Sequence, residues 1–207
     1  MLSNATRAHM SEFGIVAPVA RIGLARLLAI VAEKDDERIP RDGICLEMLG
    51  AQLTVVKEQI LENDRLIRAS ARDTEVGQRL MEIPGVGPLL ARAFVASVAD
   101  PQVFKTCRDL AAWIGLVPRQ NSSGGKERLG GISRAGNQYL RQMVVVGAMA
   151  VIRHAERRGT KRVWLIELMK RRATKVAAVA LANKTARMVW TMMTSGEHYR
   201  EPQVAHA

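Results

Sequence analysis

The residues with the greatest chemical potential in this sequence are concentrated in one glycine-rich segment, residues 115–137. Two adjacent serines, Ser122 and Ser123, directly precede Gly124 and Gly125. Four cationic side chains are interleaved with these small residues: Arg119, Lys126, Arg128 and Arg134. Glycine allows close approach of a bulky phosphate, and cations and hydroxyl groups bind phosphate oxygens. The spacing therefore predicts a phosphate-binding loop.

The serines of this loop have two interpretations. A serine hydroxyl is a weak nucleophile unless a base, a metal ion or strong positive surroundings activate it. Preorganised cations would stabilise a pentacovalent phosphate, and Ser123, next to the glycines, is better placed for the attack than Ser122. Alternatively, both serines only brace the turn. Ser133 precedes the next helical pattern and is predicted to be its N-cap.

The distribution of charge indicates the partner of the loop. The chain has 207 residues and a formal net charge of +11. Residues 119–172 hold 13 Lys and Arg against 3 Asp and Glu, whereas residues 1–118 hold 14 against 15. Positive charge concentrated in one third of a chain favours a polyanion, most often nucleic acid. We therefore expect nucleic acid as the partner, and an acidic membrane surface is the competing interpretation.

Other kinds of site are disfavoured. Cys45 and Cys107 are isolated, and the four histidines are scattered, so neither a zinc site nor a disulfide framework is indicated. No carboxylate cluster suited to Mg²⁺ is evident, and the G-G-K of the loop lacks P-loop spacing. We expect no metal site and no cofactor in this chain. The longest apolar run, residues 143–152, is too short to span a bilayer, and no secretory signal is visible, so we expect a cytoplasmic protein.

The segments that must position the loop are predicted to be helical, because aromatic residues are few and Ala, Leu, Val, Met and Arg are common. The expected fold class is mostly α. Around I-P-G-V-G-P at 83–88 two helices are predicted, with Pro88 in the first turn of the second. This pattern is typical of a helix-hairpin-helix motif near residues 79–98, in which Gly85 and Gly87 bring backbone N–H groups close to a DNA phosphate. A tight helical corner without a ligand is the alternative.

A heptad pattern occupies residues 46–67. Its members are Leu46, Leu49, Leu53, Val56, Ile60, Asn63 and Ile67. The helix that carries them is either one arm of an intrachain hairpin or a coiled coil that joins copies of the chain into a homo-oligomer. The predicted organisation is a helical linker or coiled-coil region (1–74), a second domain (75–200) and a frayed tail (201–207).

Several motifs, taken in order, resemble a known family. They are I-P-G-V-G-P at 83–88, L-A-A-W-I-G-L-V-P-R at 110–119, S-S-G-G-K at 122–126, R-L-G-G-I-S-R-A-G-N at 128–137 and Y-L-R at 139–141. Together they are similar to the C-terminal transposase domain of the insertion-sequence 110/116/902 family, the DEDD transposases related to the Piv and MooV invertases. The resemblance covers the chain to about Tyr199.

The resemblance implies a function as well as a fold. Members of the family begin with a RuvC-like domain that holds Mg²⁺ on four acidic residues, and their catalytic serine corresponds to Ser123. The implied reaction is attack of this serine on a DNA phosphodiester to give a phosphoserine link, and a structured guide RNA chooses the sites in several members. The four acids have no counterpart here, so we expect a C-terminal part that is inactive by itself. The alternatives are a non-catalytic helix-hairpin-helix DNA-binding module and a dimerising remnant.

Overall fold

The computed structural model describes residues 2–18, 21–33, 44–121, 129–160 and 162–201. Within these ranges the chain forms nine α-helices, one short 3₁₀ turn and one two-stranded ribbon. The mostly α fold class is thereby confirmed. The chain divides into two compact units, residues 1–66 and 67–207. None of the described helices is both long and apolar enough to cross a membrane.

The first unit contains helices α1 (Leu2–Glu12) and α2 (Arg21–Glu33) and most of α3 (Ile44–Arg72). A small core forms where these helices meet, and it consists of Met10, Ile15, Leu27, Val31 and Leu46. A Cβ atom added to Gly50 would lie in ordinary contact with the side chains of Leu28 and Val31. The first turns of α3 therefore pack against α2, as the hairpin interpretation of this helix requires.

The middle of the heptad pattern on α3 is exposed to solvent. Val56 is 39% exposed, Ile60 is 61% exposed, and Asn63 is also exposed. Leu46, at the beginning of the pattern, is buried. Among the described residues, the predicted apolar seam is therefore exposed from Val56 to Asn63.

The second unit surrounds one central helix. Its helices are α4 (Glu75–Met81), α5 (Pro88–Ser97), α6 (Cys107–Ile114), α7 (Gln138–Arg158), α8 (Val163–Arg171) and α9 (Thr174–Ser195). Helix α9 contacts α4, α6, α7 and α8. Its buried face consists largely of small residues: Ala177, Ala178, Leu181, Ala182, Thr185, Ala186 and Val189. Short side chains let neighbouring helices approach closely, so α9 forms the axis of this core.

Local signals define most helix ends. Thr106 and Asp109 form a reciprocal capping box at the start of α6, and Gly196 adopts a left-handed conformation after α9, as its position predicts. The prediction that Ser133 caps α7 is wrong. The cap is Asn137, whose Oδ1 accepts from the Leu140 backbone N–H at 3.0 Å. Residues before Asn137 are still held against the preceding strand, and the helix begins only after them.

Candidate nucleic-acid interface

The glycine-rich segment is a hairpin whose two ends are fixed by the helices on either side. Strands β1 (Pro118–Gln120) and β2 (Leu129–Ile132) pair in antiparallel fashion with one irregularity in register. Ser122, Ser123, Lys126 and Arg128 fall in residues 122–128, which lie outside the described residues. We call residues 115–137, which contain both serines, the serine loop. The structure therefore describes the base of this loop.

Backbone hydrogen bonds close the base of this hairpin. The Ser133 N–H donates to the Val117 carbonyl at 2.8 Å, and the Arg134 N–H donates to the Gly115 carbonyl at 3.2 Å. Nearer the helices, the Asn137 N–H donates to the Trp113 carbonyl at 3.3 Å. We refer to residues 113–117 and 133–137 as the stem. The stem joins the end of α6 to the beginning of α7.

Two glycines allow the strands of the stem to lie this close. Gly115 and Gly136 both have left-handed backbones, with φ of 81° and 70°. A Cβ on Gly136 would lie 1.6 Å from the Trp113 carbonyl oxygen, and one on Gly115 would lie 2.2 Å from the Ala135 carbonyl oxygen. Both positions therefore require glycine for conformation and for space.

Side chains from two long helices hold the stem in place. The Arg141 guanidinium on α7 donates through one Nη atom to the carbonyls of Ile114 and Ala135, each at 2.8 Å. From α9, Asn183 Nδ2 donates to the Leu116 carbonyl at 3.3 Å. Sequence reasoning did not assign a role to either residue. Both residues are recognised by their contacts with the carbonyls of the stem, and these contacts are visible only in the folded structure.

The structure brings Arg119 and Arg134 together at the outer end of the stem. Both residues are exposed. Arg119 Nη2 donates to the Ser133 carbonyl at 3.0 Å, so this cation also braces the hairpin. Arg134 has a positive φ of 57°, an uncommon conformation for a non-glycine residue and one that is enriched at functional sites. No hydrogen bond from its guanidinium to another described residue is seen.

The predicted phosphate-binding turn lies between α4 and α5, and its two glycines have different environments. Gly85 has a φ of 93°, and a Cβ there would lie 2.9 Å from both the Gly147 carbonyl oxygen and Val151 Cγ2 of α7. Gly85 therefore serves close packing of the turn on α7. Gly87 is exposed, precedes Pro88 at the start of α5 and has open space where a Cβ would be. Of the two, Gly87 has room for a ligand.

Helix α7 connects the turn to the stem. Its N-cap, Asn137, belongs to the stem, and Gly147 contacts the turn. Ten residues of α-helix separate these points, which corresponds to about 15 Å. The turn and the stem, separate in the sequence, are thus fixed to one helix.

The excess positive charge lies mainly on α7 and α8 and on the residues beside them. The exposed cations there are Arg153, Arg157, Arg158, Lys170, Arg171, Arg172 and Lys175. Arg162 does not belong to this surface, because its side chain is only 10% exposed. Its Nη2 donates to the Tyr199 hydroxyl at 2.6 Å, and its Nε lies 3.5 Å from the Glu201 carboxylate. Arg162 is therefore a structural cation.

The segment after α9 is fastened to the end of α4. The Glu82 carboxylate lies 2.7 Å from His198 Nδ1 and accepts from the Tyr199 backbone N–H at 2.9 Å. Arg79 also donates to the Gly196 carbonyl. We call residues 196–201 the C-terminal strap. Two hydrogen bonds lower the pKa of Glu82 below the ordinary value of 4.5. The larger effect comes from the His198 side chain and the smaller from the Tyr199 backbone N–H.

The lowered pKa of Glu82 predicts a pH-dependent contribution to stability. A carboxylate whose pKa is lower in the folded state stabilises the fold above its unfolded pKa, and this contribution is lost as pH falls through the folded pKa. Glu82→Gln is therefore expected to lower the melting temperature near neutral pH. The difference from wild type should shrink at pH values below 4.5. A difference that stays constant across this range would contradict the prediction, and Glu75→Gln on the exposed side of α4 is the control.

No group of three or more His, Cys, Asp or Glu side chains is arranged to hold a metal ion in the part of the chain that the structure describes. The donor set of these residues does not fit the Mg²⁺ site that the resemblance implies for a RuvC-like domain.

A known protein family matches the part of the chain that contains these elements. Residues 77–163 match the family model described as "Transposase IS116/IS110/IS902 family". This range contains the turn, the stem and all of α7. It therefore covers both predicted phosphate-contacting elements and the helix that joins them.

The chain is similar along almost its whole length to several curated transposases. It is 42% identical over 98% of its length to "Putative transposase y4pF/y4sB" of Sinorhizobium fredii and 40% identical over 96% to "Probable family 20 transposase" of Pseudomonas aeruginosa. It is also 40% identical over 96% of its length to "Transposase for insertion sequence element IS1111A" of Coxiella burnetii. The chain spans 52%, 60% and 55% of these relatives, respectively. It belongs to the IS116/IS110/IS902 family of transposases.

Proposed function

We propose that this chain supplies the serine nucleophile and part of the DNA-contacting surface of an insertion-sequence transposase. The observation that carries the proposal is the stem, which fixes the two ends of the serine loop between α6 and α7 and places Arg119 and Arg134 at its outer end. The names of the three relatives given above, each of which contains the word transposase, suggest the class of reaction.

The proposed reaction is a phosphoryl transfer from DNA to the protein. The Ser123 hydroxyl oxygen attacks the phosphorus of a phosphodiester and loses its proton. The bond between phosphorus and one deoxyribose oxygen breaks, and that oxygen leaves as a hydroxyl group. The product is a phosphoserine link, which a hydroxyl group of another strand reverses with exchange of partners. Arg119, Lys126, Arg128 and Arg134 would stabilise the negative charge that develops on the phosphate.

The turn between α4 and α5 is proposed to bind the DNA backbone as a helix-hairpin-helix motif. The start of α5, where no described side chain caps the backbone N–H groups, and the open space beside Gly87 support this role. Gly85 would act indirectly, because its contact with Gly147 fixes the turn on α7. A non-catalytic DNA-binding module is the second candidate function, because the turn would serve it without Ser123.

The exposed part of the heptad pattern supports a further proposal, that α3 pairs with α3 of a second copy. Val56 and Ile60 would become buried in such a coiled coil, and Asn63 would fix its register. A structured RNA, which the resemblance implies, is a second candidate partner for the exposed cations of α7 and α8.

Arg134 is expected to contact phosphate without reading sequence. Arg134→Gln should weaken binding of duplex DNA to a similar extent for unrelated sequences, since phosphate contacts position a protein but do not specify bases. Loss of one contact should also lower the slope of log affinity against log salt concentration by about 0.9. Fluorescence anisotropy at several salt concentrations measures both quantities. Lys57→Gln, on an exposed turn of α3, is the matched control, and a loss confined to one DNA sequence would contradict the prediction.

The position of the covalent link tests the catalytic part of the proposal. The chain is mixed with insertion-element DNA and a full-length relative whose own catalytic serine is replaced by alanine, so that only this chain can form the link. Peptide mass spectrometry is expected to locate the phosphodeoxyribose adduct on Ser123. An adduct on another residue would refute the assignment. Duplex binding without any adduct would favour the non-catalytic module.

A further inference from the structure

A groove on the second unit, separate from the turn and the serine loop, has the chemistry of a binding site. It has a volume of about 580 Å³ and runs along the outer face of α9. Trp164 of α8 and the C-terminal strap form its sides. Its lining residues on α9 extend from Ala180 to Ser195, which corresponds to a length of about 20 Å.

The groove is predominantly cationic. Lys184, Arg187 and Arg200 line it, and the acidic residue among its lining side chains is Glu197. Arg187 Nε lies 3.5 Å from the Cys107 sulfur, which leaves the outer nitrogens of its guanidinium available. His198 also lines the groove, but the Glu82 carboxylate is paired with it. A negatively charged ligand is therefore favoured.

An aromatic side chain lies beside these cations. Trp164 is 42% exposed, and Lys184 Nζ lies 4.9 Å from the centre of its ring. Cations that track a backbone, next to an aromatic ring on which bases stack, are the combination that proteins use to bind single-stranded nucleic acid. The volume suits a ligand of small-molecule size. It would accept a short stretch of one strand but not a double helix.

The location of the groove connects it to the serine loop. Asn183, at one end of the groove, donates to the Leu116 carbonyl in the stem. A strand that lies in the groove would therefore reach the base of the loop. The C-terminal strap, which forms one side of the groove, is held by two hydrogen bonds to the Glu82 carboxylate. Hydrogen bonds from Asn183 and to Glu82 thus fix the position of the groove within the second unit.

We infer that this groove binds one strand of nucleic acid, with Lys184, Arg187 and Arg200 contacting phosphates and Trp164 stacking on a base. The site goes beyond the proposed cleavage reaction, because it requires neither Ser123 nor the turn. It rests on the proposed function only in that the polyanion is a nucleic acid. Affinity for duplex DNA and affinity for a single strand are therefore measured separately. Failure of the groove proposal can then be distinguished from failure of the proposed DNA-binding function.

The test uses the purified chain and a fluorescently labelled oligothymidylate. The double variant Lys184→Gln and Arg187→Gln is expected to lose about tenfold in affinity, and the salt slope should fall by about 1.4 for two lost contacts on a single strand. The matched control is Lys57→Gln and Arg65→Gln, which removes the same charge from exposed positions of α3. The control should retain nearly the wild-type affinity for the single strand. Equal losses in the two double variants, or an unchanged groove variant, would overturn the inference.

Two further arms define the ligand. Trp164→Phe should bind nearly as well as wild type, whereas Trp164→Ala should lose about fivefold or more, as expected for one stacked base. Equal binding by these two variants would refute the stacking contact. An oligouridylate of the same length compares RNA with DNA, and equal affinity would assign the groove to the phosphodiester backbone that both share. Loss of duplex affinity alone in the groove variants would contradict a single-strand site.

Discussion

Ser123→Ala is expected to abolish the covalent DNA–protein adduct, with a loss of at least ~10³-fold in the rate of strand cleavage, because removal of a nucleophile leaves only binding and electrostatic stabilisation. DNA affinity should be nearly unchanged, since the cations that contact phosphate remain. The adduct is measured on denaturing gels with labelled DNA, in the presence of the serine-less full-length relative.

Ser122→Ala is the matched control for this experiment, because it removes an identical side chain from the neighbouring position. It should retain most of the adduct. Ser123→Cys offers a second comparison, because a thiol retains a nucleophile of different size and acidity. Equal loss of adduct in Ser122→Ala and Ser123→Ala would show that the two serines act structurally and would refute the assignment of one nucleophile.

Gly136→Ala is expected to lower the free energy of unfolding by about 4 kcal/mol, a large effect for one methyl group, because strain and a steric conflict act together. The backbone at this position has a φ of 70°, and the new Cβ would lie 1.6 Å from a carbonyl oxygen of Trp113. Neither the oxygen nor the helix that ends beside it moves without breaking hydrogen bonds of the stem. Chemical denaturation followed by circular dichroism measures the change.

Gly131→Ala is the control within the same hairpin, since a Cβ there meets no atom within 4 Å and its φ is not positive. It should change the stability only slightly. If the two variants had the same free energy of unfolding, the conclusion that the two segments of the stem lie in close contact at Gly136 would be refuted.

Local patterns were sufficient to predict most of the helices. The 29-residue α3 carries the predicted heptad pattern, and Pro88 lies at a helix start as expected. These features depend on residues that are close together in the sequence, so they can be recognised from the sequence alone. The N-cap of α7 was predicted four residues too early, at Ser133, because both Ser133 and Asn137 suit a cap and only the hydrogen bonds of the stem decide between them.

Features that depend on distant residues could not be predicted in the same way. The sequence shows Gly85 as one of two equivalent glycines, and only its contact with α7 distinguishes it from Gly87. Arg162 counts toward the basic third of the chain, but its burial against Tyr199 removes it from the binding surface. The groove was not predicted from the sequence because its cations lie on α9 and in the C-terminal strap, outside the most basic segment, and only folding brings them beside Trp164.

The contact between the turn and α7 also constrains how this sequence can diverge. A Cβ on Gly147 would lie 2.1 Å from the Gly85 carbonyl oxygen, and a Cβ on Gly85 would approach the carbonyl of Gly147 as closely as 2.9 Å. Neither residue can accept a side chain unless the other element moves away, and such a move would also change the distance from the turn to the stem. In homologous sequences, these two positions are therefore expected to remain glycine together or to change together.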